Sequence, residues 1–199
     1  MRHVSRLRFL LLFFSLPFIN CHNLYKQKRD TSKYIVWHKN FRLRWSDYKE
    51  EIPWEDPYAA ESYIWSDFFQ MKFGDYIVVN LTTYFVPDSS WYNPIKIDDR
   101  ILDHEIRHID LAEVFNRQFR KYLHEWKGRD YDDLTSYFND GHFEQRSLAL
   151  QAQYDSETNH SVNILIQEHW DNKIDSLLDV YKDFSVPEFR IKINRSVHY

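Results

Sequence analysis

Ile101-Leu102-Asp103-His104-Glu105-Ile106-Arg107-His108-Ile109-Asp110-Leu111-Ala112-Glu113 opens a run of helical character that extends to Trp126. Ile101, Leu102, Ile106, Ile109, Leu111, Ala112, Val114, Phe115, Phe119, Tyr122 and Leu123 recur at helical spacings over a broad arc. That pattern predicts a helix buried on most of its circumference. Asp98, Asp99 and Asp103 place acidic groups at its start, where they cap and suit the helix dipole. Arg117, Arg120, Lys121 and Lys127 supply cations toward its end, and Gly128 stops it. His104 and His108 stand one turn apart on one face, so both imidazoles can reach a single metal ion. Glu105 lies about 100° round the helix from His104. It is placed to act as a general base on a metal-activated water rather than to ligate. A polar helix that merely carries two histidines is the alternative.

The rest of the chain predicts an α+β fold: a small, mainly antiparallel sheet with this HExxH helix, zincin-like, and a long C-terminal helix packed on it. Strands are expected at Tyr34–Trp37, at Phe41–Trp45, where apolar and charged residues alternate, and within Ala59–Phe73. Gly74-Asp75 reads as a turn, and Tyr76–Val86 is the clearest strand, rich in β-branched and aromatic residues. After Gly128, Arg129–Asp133 reads as a charged loop and Leu134–Phe138 as a short helical turn. His142–Tyr154 reads as a helix and Tyr154–His160 as a loop. Val162, Leu165, Ile166, His169, Trp170, Ile174, Leu177, Leu178 and Tyr181 then mark an amphipathic helix to about Asp183. Phe189–Ile193 alternates as a last strand.

A catalytic zinc site takes three protein ligands and leaves one position open, so His104 and His108 need a third partner. Asp110 and Glu113 turn away from the histidine face. They are expected to support the site rather than ligate, Glu113 pairing with Arg117 at i+4. His124, His142, His160, Glu168 and His169 are the remaining candidates. His160 is the expected third ligand, because it ends the polar cluster Tyr154–His160 at the entrance of the last helix. His142 is the reserve, and His169 is expected to pack in the core. Tyr154 is a candidate donor to a developing oxyanion.

Residues 1–21 read as a signal peptide: Arg2, His3, Arg6 and Arg8 precede the apolar run Phe9–Ile19, too short to span a bilayer. Cys21, the only cysteine, has no internal disulfide partner. It stands where lipoproteins carry a lipid anchor, although Phe18-Ile19-Asn20 departs from the small residues usual there. Residues 22–33 read as a tether and 34–199 as the metallopeptidase-like domain. The protein is therefore expected to be exported, to the periplasm, the cell envelope or the medium. Only 3 glycines argue against a phosphate-cradling loop, and a net charge of −4 gives no electrostatic reason to expect nucleic acid.

Four stretches together resemble an uncharacterised bacterial family described as predicted secreted zinc-dependent proteases. They are His104–Glu113 followed by Arg117 and Arg120, Leu43–Tyr48, Ser89-Ser90-Trp91, and Tyr154–His160 followed by Asn163, Gln167 and Trp170. The resemblance covers roughly Tyr34 to Leu178. Ser161 stands where that family normally has glycine, and Arg107 where it tends to have a smaller or neutral residue. The resemblance implies a zinc peptidase acting on peptide or protein substrates. A non-catalytic envelope protein with a structural metal or a metal-free histidine pair is the second expectation. An aromatic-rich binding module for glycan or peptide, suggested by 7 Trp and 14 Tyr, is the third.

Overall fold

The computed structural model describes residues 33–52, 57–125 and 142–193. The signal peptide, Cys21, nearly all of the tether, the Gly128 stop and the elements expected over 129–138 lie outside the described residues. Within them the fold is α+β, with three α-helices and two small sheets.

The larger sheet is built on a hairpin of two ten-residue strands, β4 (Ile64–Phe73) and β5 (Tyr76–Phe85), in register from Phe73↔Tyr76 to Ile64↔Phe85. Gly74, with φ +60 at the first central position, supplies the left-handed backbone that a two-residue hairpin of this kind demands. The other edge of β5 carries two strands end to end. β1 (Ile35–Val36) pairs with Tyr84 and Phe85, and β7 (Glu188–Lys192) pairs with Tyr76–Asn80. The chain thus returns from its helices to complete the sheet it began with. The smaller sheet joins β2 (Glu50–Glu51) parallel, and β3 (Ala60–Glu61) antiparallel, to β6 (Trp91–Tyr92).

Helix α1 (Asp99–Glu125) is the central element, started by the Asp98 carboxylate accepting from the Ile101 N–H at 2.8 Å. Three apolar clusters meet it. Phe115, Phe119 and Leu123 pack on Ile77, Val79 and Leu81 of β5 and on Phe189 and Ile191 of β7. Ile109 and Ala112 pack on Phe41, Leu43, Ile64 and Phe85. Leu111 and Val114 pack on α2 (His142–Thr158) and α3 (Ile164–Val180) through Tyr154, Trp170 and Ile174. Leu111 shares the face of His104 and His108, so the histidines are directed at α2 and α3.

Several expected elements differ. Phe41–Trp45 is not a strand. Phe41 and Leu43 are buried and Arg42 and Arg44 exposed, as the alternation implies, but the backbone turns instead of pairing, Phe41 N–H to His38 O at 2.7 Å. The expected loop over Tyr154–His160 is mostly helix, because α2 runs to Thr158, whose hydroxyl donates to Tyr154 O. Burial of Tyr154 and Thr158 holds that turn against the low helix propensity of Ser, Asn and Asp. The buried line of α3 is Gln167, Trp170 and Ile174, which leaves Leu165 and His169 exposed; Val162, in the preceding turn, is exposed too. His169 is therefore a surface residue, not a core histidine.

A candidate metal centre between three helices

His104 and His108 are buried on the face of α1 that meets α2 and α3. Their Nε2 atoms lie 3.2 Å apart. Asp155, near the end of α2, brings its Oδ1 to 2.8 Å from His108 Nε2 and 3.1 Å from His104 Nε2. Ligand atoms of His104, His108 and Asp155 all lie within 4.8 Å of one another, so the group could hold a metal ion. A tetrahedral zinc with ligands at about 2.0–2.1 Å has donor–donor edges of about 3.3–3.4 Å. The observed triangle, with edges of 3.2, 3.1 and 2.8 Å, is tighter than that by about 0.1 to 0.6 Å, so its side chains would spread slightly around an ion.

The hydrogen bonds behind the triangle decide what it can hold. His104 Nδ1 meets Gln167 Oε1 at 2.9 Å, and His108 Nδ1 meets Gln151 Oε1 at 2.6 Å. Neither amide is free to reverse. Gln151 Nε2 donates to the main-chain oxygen of His108 at 2.9 Å, and Gln167 Nε2 donates to Asp171 Oδ1 at 2.9 Å. Both imidazoles must therefore donate from Nδ1, which leaves Nε2 as the acceptor in each neutral ring. Two nitrogen lone pairs and a carboxylate oxygen then face one another, an arrangement that requires a cation or a proton between them. Hydrogen-bonded imidazoles presenting Nε2 beside a carboxylate are the usual donors to zinc.

Without metal, a proton does this. Burial works to lower the His108 pKa, but the charge and hydrogen bond of Asp155 outweigh it and push the ring up to about 9. Burial likewise works to raise Asp155, and the neighbouring His108 cation, with hydrogen bonds from His108 and His160, holds it well below the usual carboxylate range.

Glu105 is buried beside this group, and its Oε2 has no hydrogen-bond partner among the described residues. Its charge acts on His108 and His160. An unpartnered buried carboxylate oxygen is costly, and a water held at the site would satisfy it. His160 adjoins the group through Asp155, its Nδ1 3.5 Å from the same Oδ1, with the ring half exposed and edge-on to Tyr58. The hydrogen bond to Asp155 raises its pKa. Asn159, His160 and Ser161 all have positive φ, 48°, 50° and 71°. Arg100 donates to Ser161 O at 2.9 Å and ties this turn to the start of α1.

Of the residues expected around the site, the structure brings together His104, Glu105, His108, Tyr154 and His160. The Tyr154 ring stacks on His104 with centroids 4.6 Å apart, and its hydroxyl accepts from Gln167 at 2.6 Å. Asp110 and Glu113 serve the other side of α1. Asp110 accepts from Trp37 Nε1 at 2.7 Å and from Arg107 at 3.1 Å. Glu113 accepts from Arg117, Arg120 and Thr83. His124 stacks on Phe189, Glu168 is exposed, and His142 opens α2 with its side chain outside the described residues. Asp155, Gln151 and Gln167 were not expected from sequence. Gln151 and Asp155 stand at i, i+4, a signal that becomes visible only once the helix is known to continue past Tyr154.

Comparison of the chain with protein-family models, with curated proteins and with solved structures yields no match, and the site is read from its own geometry.

Proposed function

We propose that this protein is a metal-dependent hydrolase, and in particular a zinc peptidase, in which His104, His108 and Asp155 hold the metal and Glu105 is the general base. The observation that carries the reading is the convergence of two imidazole Nε2 atoms and one carboxylate oxygen beside a buried Glu105 oxygen that has no partner among the described residues. A zinc ion there would supply Lewis acidity, polarising a carbonyl and lowering the pKa of water to about 7. Glu105 Oε2 would accept the proton that the attacking water loses and deliver it to the leaving amine. Gln151 and Gln167 would fix the imidazoles, and the Tyr154 ring would wall the pocket against solvent. His160, exposed and one contact from Asp155, would line the mouth and meet the substrate. Export, a lipidated Cys21 and a peptide or protein substrate belong to the same reading, supported by the sequence of the first 21 residues and by the resemblance described above.

A second reading has support of its own. The triangle distances also suit hydrogen bonds around a protonated His108, so a metal-free structural pair accounts for the same atoms. Metal content, measured with hydrolysis of a casein-like substrate before and after chelation, separates the two. One metal per chain and chelator-sensitive cleavage are expected. Full folding with no metal uptake and no cleavage favours the structural pair.

A further inference from the structure

The two histidines are oriented by different means. For His108, the acceptor that fixes the Gln151 amide is the main-chain oxygen of His108 itself. For His104, the Gln167 Nε2 group has two acceptors, Tyr154 Oη at 2.6 Å and Asp171 Oδ1 at 2.9 Å. Tyr154 Oη donates its own hydrogen to His104 O over a long 3.4 Å, a contact it can exchange for one to an amide oxygen, so it holds the orientation of the amide only weakly. A carboxylate only accepts. Asp171 is thus the firmer constraint that turns Gln167 Oε1 toward His104. Arg107 holds Asp171 in turn, Nε to Oδ1 at 3.2 Å, while its Nη1 and Nη2 bind Asp175 and Nη1 also binds Asp110.

We propose that Asp171, anchored by Arg107, is a positioning residue that keeps the proton of His104 on Nδ1 and its Nε2 bare. Neither residue belongs to the metal triangle, and Arg107 lines a groove of about 1000 Å³ together with Trp37, Asp103, Asp171 and Asp175. Without Asp171 the amide can reverse and offer Nε2–H to His104 Nδ1. The ring proton then moves to Nε2, into the position a metal would take. The consequence for metal binding rests on the reading above; the tautomer itself does not.

The test is ¹⁵N NMR of the imidazole nitrogens in metal-free protein, followed by zinc titration. Wild type is expected to show His104 as the Nδ1–H form. Asp171→Ala is expected to shift it toward Nε2–H and to weaken zinc binding about 10- to 100-fold. Asp171→Leu, similar in size and lacking an acceptor, is expected to do the same and guards against a packing defect in the alanine variant. Adding Gln167→Glu to Asp171→Ala supplies an acceptor that cannot reverse, and is expected to restore the Nδ1–H form and most of the affinity. A lost packing contact would not be rescued this way. An unchanged tautomer in both single variants, or no recovery in the double variant, overturns the proposal. A tautomer that follows Asp171 in a protein taking up no zinc upholds it and sinks the metal reading alone.

Discussion

Asp155 Oδ1 lies 2.8 Å from His108 Nε2, so a residue near the end of one helix closes a site begun by a histidine pair on another. The contact has opposite meanings with and without metal: an ion pair about a proton, or two ligands of one ion. The difference fixes a pH dependence. His108 is raised from an ordinary value near 6.5 to about 9 in the metal-free fold. Its contribution to stability is therefore complete below about 6.5 and lost as pH rises through 9. Asp155 is depressed, so its contribution is present above the ordinary carboxylate range and lost on acidification below it. The Tm of metal-free protein is expected to fall as pH rises from 6.5 to 9. Zinc affinity is expected to rise over the same interval with about one proton released. Calorimetry in buffers of different ionisation enthalpy counts that proton.

Glu105→Gln keeps the size of the side chain and removes its basicity. Metal content is expected to stay at the wild-type level, and kcat to fall by about 10²- to 10⁴-fold. A variant that retains turnover removes Glu105 as the base.

Glu113 sits among Arg117, Arg120 and Thr83, almost wholly buried, on the side of α1 away from the histidines. Truncation leaves two guanidinium groups without their shared carboxylate. Glu113→Ala is expected to destabilise by about 3–5 kcal/mol, read by urea unfolding. Zinc affinity of the fraction that folds is expected to be unchanged, which separates a structural ion pair from support of the site.

Ser161 holds φ at 71° in a turn of three consecutive left-handed residues. Left-handed backbone costs a residue with a Cβ about 1–2 kcal/mol, and glycine carries an entropic penalty of about 0.5–1 kcal/mol. Ser161→Gly is expected to raise stability by about 0.5–1 kcal/mol, seen as a higher Tm with zinc affinity retained.

What was legible in the sequence follows periodicity and local chemistry. The buried α1, the β4–β5 hairpin turned at Gly74, and the Glu113–Arg117 pair at i+4 all depend on spacing within one element. Phe41–Trp45 shows the limit, because alternation reports which side chains are buried and not whether the backbone finds a partner strand. Asp155 was hidden for a related reason. Ser156, Thr158 and Asn159 favour a loop by propensity, whereas packing of Tyr154 against His104 and Trp170 keeps the segment helical through Thr158. Gln151 carries no signal in sequence, and the motif that contains Gln167 does not tell its role, since both roles exist only when three helices meet.

The most direct test is the metal-to-protein ratio, by elemental analysis of protein equilibrated with zinc and desalted, for wild type, Asp155→Ala and His160→Ala. One zinc per chain is expected in wild type and in His160→Ala, and none in Asp155→Ala. A full complement of zinc in Asp155→Ala, with its loss in His160→Ala, would contradict the assignment and return the third ligand to His160.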